Sequence, residues 1–310
     1  MDIILHEHTE HELKNYLLSA YGPLILYGRR GMGQEEAARQ IAKTLLGIPS
    51  QYRSLETHPD YYEMHPEDGM IRIGQMEKLH GWCRYASISA PQKVILIFSA
   101  GLMNINAQNS LLKLLEDGSS CHIIIMVSQK PLLKTIQSRC RTIFFQEPPP
   151  EQTESFLCQA APSLKGRPKK ALGIIADGRC GLIPELLEKP DFLNFMGEYF
   201  ETLAHFKERR EILETLHAVR EKDSRYIYDV LGADGDMELF LTSNLSLFAN
   251  ALYEKPGSAE AYSKHIADTY NTKELINIIN AFSDGLCQME QKKFSRAGFF
   301  RILQTMIGGK

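Results

Sequence analysis

Four short apolar runs constrain this chain more than any other feature: Leu24–Tyr27, Val94–Phe98, Ile123–Val127 and Thr142–Phe145. Each is rich in β-branched residues and too short for a helix. Each is also continuous rather than alternating, so both faces of the strand are buried, as in parallel sheets. Tyr61–Met64 is a weaker fifth run. The patterns Glu35–Leu46, Ile73–Tyr85 and Asn106–Glu116, with apolar residues at helical spacing, lie between them. Strands alternating with helices predict an α/β, doubly wound, parallel five-stranded layer. Ahead of it, Thr9 and Glu12 form a T-x-x-E box that predicts a helix start before Leu13, Leu17 and Leu18.

At "QEPPPEQ" (Gln146–Gln152) the pattern changes. Three successive prolines interrupt strand and helix alike, which sets a boundary there. Beyond it the sequence predicts no strand. Three short helices are expected over Glu151–Gln159, Lys169–Asp177 and Leu182–Glu188. A long helical region follows, with Phe195, Tyr199, Phe200, Leu203 and Phe206 at three- and four-residue steps. Met237–Tyr253, Lys273–Met289 and Ala297–Ile307 continue that habit. The predicted division is 1–150, 151–191 and 192–310.

With 310 residues, 44% hydrophobic and 24% charged, the chain reads as an ordinary globular protein of two or three domains. A net charge of −3 gives no global drive toward nucleic acid or membrane. The N-terminus lacks a basic stretch before its three apolar residues, so no signal peptide is expected. No apolar run approaches the roughly 20 residues that span a bilayer. Six cysteines, at 83, 121, 140, 158, 180 and 287, contain no C-x-x-C pair, which predicts reduced thiols in a cytoplasmic protein and no zinc site. His6, His8 and His11 read as a solvated helix start, since no Cys or Asp completes a tetrahedral set.

The stretch "LILYGRRGMGQEEAARQ" carries the outline of a phosphate-binding loop, G-x-x-x-x-G-K-[ST], between its strand and helix. Gly28 and Gly33 occupy the pattern's glycine positions, and Gly31 adds a third. Gln34 stands where the pattern has lysine, and Glu35 where it has the Mg²⁺-binding hydroxyl. Glu35 and Glu36 suit the positive helix end and repel phosphate. Arg29 and Arg30 are cations of the loop, but the motif does not hold them over the β/γ-phosphates. The strand "KVILI" should end in a carboxylate if it is to hold Mg²⁺; Phe98 and Ser99 follow it instead. Two independent defects predict neither nucleotide cofactor nor hydrolysis.

Three further stretches, in order, carry a resemblance: "HPDYYEMHPEDGMIRIGQMEKL" (His58–Leu79), "KVILIFSAGLMNINAQNSLLKLLED" (Lys93–Asp117) and "IIIMVSQKPLLKTIQSRCRTIFF" (Ile123–Phe145). With "ALGIIADGRCGLIPELL" (Ala171–Leu187), they resemble the delta-prime subunits of bacterial DNA polymerase III clamp loaders, members of the AAA+ superfamily. The likeness covers about residues 10–190. It implies an AAA+ P-loop-type domain over 1–150, a three-helix lid over 151–191 and an all-α collar domain over 192–310. It also implies partners: an ATPase motor subunit and a delta subunit in a hetero-pentamer that opens the sliding clamp and sets it on primed DNA.

The resemblance assigns Ser138, Arg139 and Cys140 to the Ser-Arg-Cys motif, with Arg139 as an arginine finger acting in trans. Alone, Arg139 would read as a surface arginine. Many members have a loop lysine, where this chain has Gln34, and four zinc-binding cysteines, where Leu46–Thr57 has none. The basic lid sensor falls near Leu182, and Ser128 falls at sensor 1, where a turn role is expected. Lys113 reads as helix surface. The basic segment Ser163–Lys170 reads as a solvated loop, with contact to DNA phosphate as the alternative. Two other classes stay open: an ATPase with an unorthodox site, which a carboxylate near Gln34 or Ser99 would favour, and an AAA+ scaffold unrelated to replication.

Overall fold

The computed structural model describes residues 4–19, 22–48, 55–116, 122–205, 234–253, 260–291, 293–295, 298–299 and 302. Two compact units emerge, one of Met1–Pro149 with Gly178–Gly181 and one of Pro150–Asp177 with Leu182–Lys310.

In the first unit the five apolar runs become β1 (Leu24–Tyr27), β2 (Tyr61–Met64), β3 (Lys93–Ile97), β4 (His122–Ser128) and β5 (Arg141–Phe144). They pair in the order β2-β3-β4-β1-β5, and all four pairings are parallel. The continuous apolarity of β1, β3 and β4 has the expected cause, burial on both faces; the edge strand β5 departs from it, with Phe144 exposed. Leu24, Leu26, Val94 and Leu96 face a core closed by α1 (Glu7–Leu18) and α2 (Gln34–Leu45). Ile25, Ile95 and Ile97 face an opposite core closed by α3 (Ile73–Cys83), α4 (Ile105–Glu116) and the single turn α5 (Lys134–Gln137). Each such buried side chain stabilises the layer by about 1.5–3 kcal/mol.

Two loops fix the strand starts. Asp60, fully buried just before β2, accepts N–H bonds from Ile88, Ser89 and Ala90 at 2.7, 2.7 and 2.8 Å. Burial alone would raise its pKa, but these donors and the Ser89 hydroxyl bring it down to about 2. The Asp60 carbonyl also receives the Val94 N–H at 2.8 Å, so one residue ties β2 to the entry of β3.

The expected capping box at Thr9 and Glu12 is corrected. The helix begins two residues earlier, at Glu7, and the His6 ring accepts the His8 N–H at 3.1 Å. Thr9 is buried inside the helix, where its hydroxyl accepts the Gln146 N–H at 3.3 Å; Glu12 pairs with Arg141 at 3.1 Å. Both therefore tie α1 to β5 or to the residues just after it instead of capping anything.

The second unit is helical among its described residues: α6 (Pro150–Ala160), α7 (Arg167–Ala176), α8 (Ile183–Leu187), α9 (Pro190–His205), α10 (Asp234–Tyr253), α11 (Glu260–Thr269) and α12 (Thr272–Glu290). The third proline of the run opens α6, where a missing N–H costs nothing. Phe206 and most of the predicted helix over Ala297–Ile307 lie outside the described residues. A buried Tyr199–Asn244 hydrogen bond of 2.8 Å joins α9 to α10, and Lys189 bridges Glu185 and Asp236. No helix among the described residues is long and apolar enough to cross a membrane.

Candidate functional site

The phosphate-loop outline folds as a loop between β1 and α2, but its polar groups bond to the chain itself. Gly31 and Gly33 hold φ of 85° and 92°, the left-handed region that glycine enters without strain. Gly28 has no room for a side chain, since an added Cβ would meet Gln34 Nε2 at 2.8 Å and Phe145 Cβ at 2.9 Å. Gln34 is 3% exposed, and its amide donates to the Arg29 carbonyl at 2.8 Å, closing the loop internally. Arg29 pairs with Glu147 at 2.6 Å. Glu35 and Glu36 are exposed in the first turn of α2.

A second segment of the same unit is seated on the loop. The Gly181 N–H donates to the Gly31 carbonyl at 2.8 Å, and the backbones approach so closely that a Cβ on Gly181 would lie 2.8 Å from that oxygen. Gly178, at φ 78°, lies against Glu147, the partner of Arg29. Leu182, at the lid-sensor position, is apolar and buried.

At the end of β3, Phe98 is 1% exposed and stacks on His65 with centroids 4.8 Å apart. The Arg39 guanidinium lies 4.5 Å over the same ring and pairs with Glu63 at 3.0 Å. Glu63 also accepts from Tyr61 and lies 2.7 Å from His65 Nε2. Burial would raise the Glu63 pKa, but these neighbours lower it, so its charge is already matched. Ser99 takes φ 49° at the start of a 3-10 turn, and neither it nor Phe98 is a carboxylate. Ser128 is buried and donates to the Lys130 carbonyl at 2.6 Å, a turn-stabilising bond.

Ser138, Arg139 and Cys140 form the turn between α5 and β5. The Ser138 hydroxyl donates to the Thr135 carbonyl at 3.1 Å, covering the exposed end of α5. Cys140 packs against the inner core, and burial pushes its thiol up to about 12, against the pull of Arg139. It is therefore a packing residue, not a nucleophile. Between these two anchors Arg139 projects with its side chain 40% exposed. Its Nη2 meets Glu116 at 2.9 Å, and its Nη1 donates to the Thr135 carbonyl at 3.0 Å.

The sheet register separates this arginine from the loop. Arg141 is in register with Leu24, the first residue of β1, whereas the loop follows Tyr27, the last. Four strand residues at about 3.3 Å each lie between the two levels, more than a guanidinium spans. The structure thus gathers Gly28, Gly31, Gly33, Gln34 and Glu35 at one end of β1 and leaves Arg139 at the other. Sequence reasoning missed the Gly181, Glu147 and Glu116 contacts. Two glycines in four residues, Gly178 and Gly181, were the one available hint of a close backbone approach.

A parallel five-stranded sheet in the order β2-β3-β4-β1-β5, with helices on both faces and a glycine loop after β1, is the layout of a P-loop-type α/β domain. The fold is similar to that of a DNA polymerase III gamma subunit-related protein from Thermotoga maritima: TM-score 0.54 at 15% identity, over 97% of this chain and 99% of that one. Residues 6–149 match the family described as DNA polymerase III, delta subunit. The delta-prime subunit of Pseudomonas aeruginosa is 35% identical over 132 residues, covering 37% of this chain and 40% of the relative. That of Escherichia coli is 36% identical over 149 residues, covering 42% and 43%. The α/β part of the chain is thus similar to delta-prime subunits; the match spans less than half the length of each relative.

Proposed function

We propose that this chain is a delta-prime-type subunit of a DNA polymerase III clamp loader, without ATPase activity of its own, which lends Arg139 to ATP bound by a neighbouring motor subunit. Its partners would be that motor subunit and a delta subunit in a cytoplasmic hetero-pentamer, acting on the sliding clamp and primed DNA. Residues 151–191 would serve as the lid and 192–310 as the collar domain.

The residues at the loop do not fit Mg·ATP. The lysine position holds an amide bonded to the loop's own carbonyl. The first turn of α2 carries two acids, and an aromatic ring fills the end of β3. The observation that carries the in-trans role is the position of Arg139. It is held in a built turn, partly exposed, a strand's length from its own loop, so phosphate bound at that loop is out of its reach. Arginine suits the task because its charge is fixed and its planar fork matches phosphate oxygens.

The test is ATPase and clamp loading by the loader reconstituted with the chain's native partners. In Arg139→Ala the site served by the finger should lose about 10³-fold in turnover, the scale of fingers in other phosphoryl-transfer systems, so total turnover falls by that site's share. Assembly by gel filtration should be unchanged, and Arg139→Lys should rescue little. Wild-type turnover by an assembled Arg139→Ala loader would refute the reading.

A further inference from the structure

In the isolated chain the Arg139 fork is already engaged by Glu116. Three observations make this contact more than a chance surface pair. Glu116 is the last residue of α4, where the helix carbonyls disfavour an acid and favour a cation; Arg139 supplies one at 2.9 Å. The second arm of the fork is held too, on the Thr135 carbonyl at 3.0 Å, so the guanidinium has a defined orientation and not merely a nearby charge. And α4 is joined to the α5 segment at both ends: Gln108 accepts the Leu133 N–H at 2.9 Å, while Glu116 takes Arg139.

A carboxylate and the oxygens of a phosphoryl group are alternative partners for the same arginine fork. Resting on the finger reading above, we propose that Glu116 is a positioning residue that parks Arg139 on its own subunit until a neighbour's phosphate displaces it. Both side chains are about half exposed, 40% and 53%, so the pair biases the finger and does not lock it. The consequence is a finger withheld from a loosely assembled interface and released to a well-formed one, which suppresses turnover before clamp and DNA are in place.

Two measurements test this. In the isolated chain, modification of Arg139 by phenylglyoxal, followed by mass spectrometry, should run about two- to five-fold faster in Glu116→Gln, the bias an exposed pair can exert. Equal rates overturn the parking whatever the finger does. In the reconstituted loader with Mg·ATP, Glu116→Gln should raise turnover without clamp or DNA by the same factor and leave the DNA-stimulated rate near wild type. Glu116→Asp should restore most of the restraint. If Arg139→Ala cuts turnover while Glu116→Gln leaves the unstimulated rate unchanged or lower, the parking fails and the finger stands. If Arg139→Ala has no effect on turnover, the finger reading itself fails.

Discussion

Replacing Asp60 with Asn should release the loop that enters β3. The carboxylate receives three backbone N–H groups and a hydroxyl, and every one of those donors favours the ionised form. A pKa drawn from 3.8 to about 2 corresponds to about 2.4 kcal/mol of preference for that form in the folded chain. The asparagine oxygen can satisfy only part of the donor set, and without charge, so the cost should be about 2–3 kcal/mol. Because the chain has two compact units, one global unfolding energy is a poor gauge. Exchange of the Ile88, Ser89 and Ala90 amides reports the local opening directly. At neutral pH the substitution should speed their exchange roughly 30-fold or more. The sign with pH follows from the lowered value: the stabilisation is complete above pH about 4–5 and is lost as pH falls toward about 2, with about 1 kcal/mol gone by pH 3. Asp60→Asn should lack that dependence. A change in exchange below about three-fold, or an equal pH dependence in both proteins, would refute the role assigned to the carboxylate.

Gly181→Ala places a Cβ 2.8 Å from the Gly31 carbonyl, with backbone on both sides, and should destabilise that contact by about 1–3 kcal/mol, read as loss of protection at the Gly181 amide. Gln34→Lys should not confer tight Mg·ATP binding on the isolated chain, since Glu35, Glu36 and Phe98 remain; calorimetry with Mg·ATP showing micromolar affinity would contradict this.

The sheet was legible because β1, β3 and β4 are almost wholly buried on both faces, and continuous apolar runs of four or five residues admit few other readings. Even the weakest run, Tyr61–Met64, forms an edge strand. The helix bounds on α2, α3 and α4 fall within two residues of expectation. The Thr9 box misled for a physical reason: a threonine followed by a glutamate three residues later fits a cap and also a helix already under way. The contact that decides the matter, to Gln146, lies 137 residues off. Separation in sequence also hid the pairing of Glu116 with Arg139 and of Gly31 with Gly181. A sequence shows that a residue is charged or small, but not what it will meet.

The phosphate-loop outline without its lysine is consistent once its residues are sorted by what constrains them. The glycines are held by shape. Gly28 is wedged against Gln34 and Phe145, Gly33 starts α2 from a left-handed backbone, and Gly31 lies in that region too while receiving Gly181. None of these demands involves phosphate, so none lapses when nucleotide is lost. Lysine and hydroxyl answer only to phosphate and Mg²⁺, and under the function proposed above those positions are free to change. Gln34 then does what a lysine committed to phosphate would not: it bonds the Arg29 carbonyl and closes the loop from within. The loop becomes the joint between β1, α2 and the Gly178–Gly181 segment, and it fixes the end of the sheet opposite the turn that presents Arg139. Under the function proposed above, the chain has a use for that joint whether or not it binds ATP.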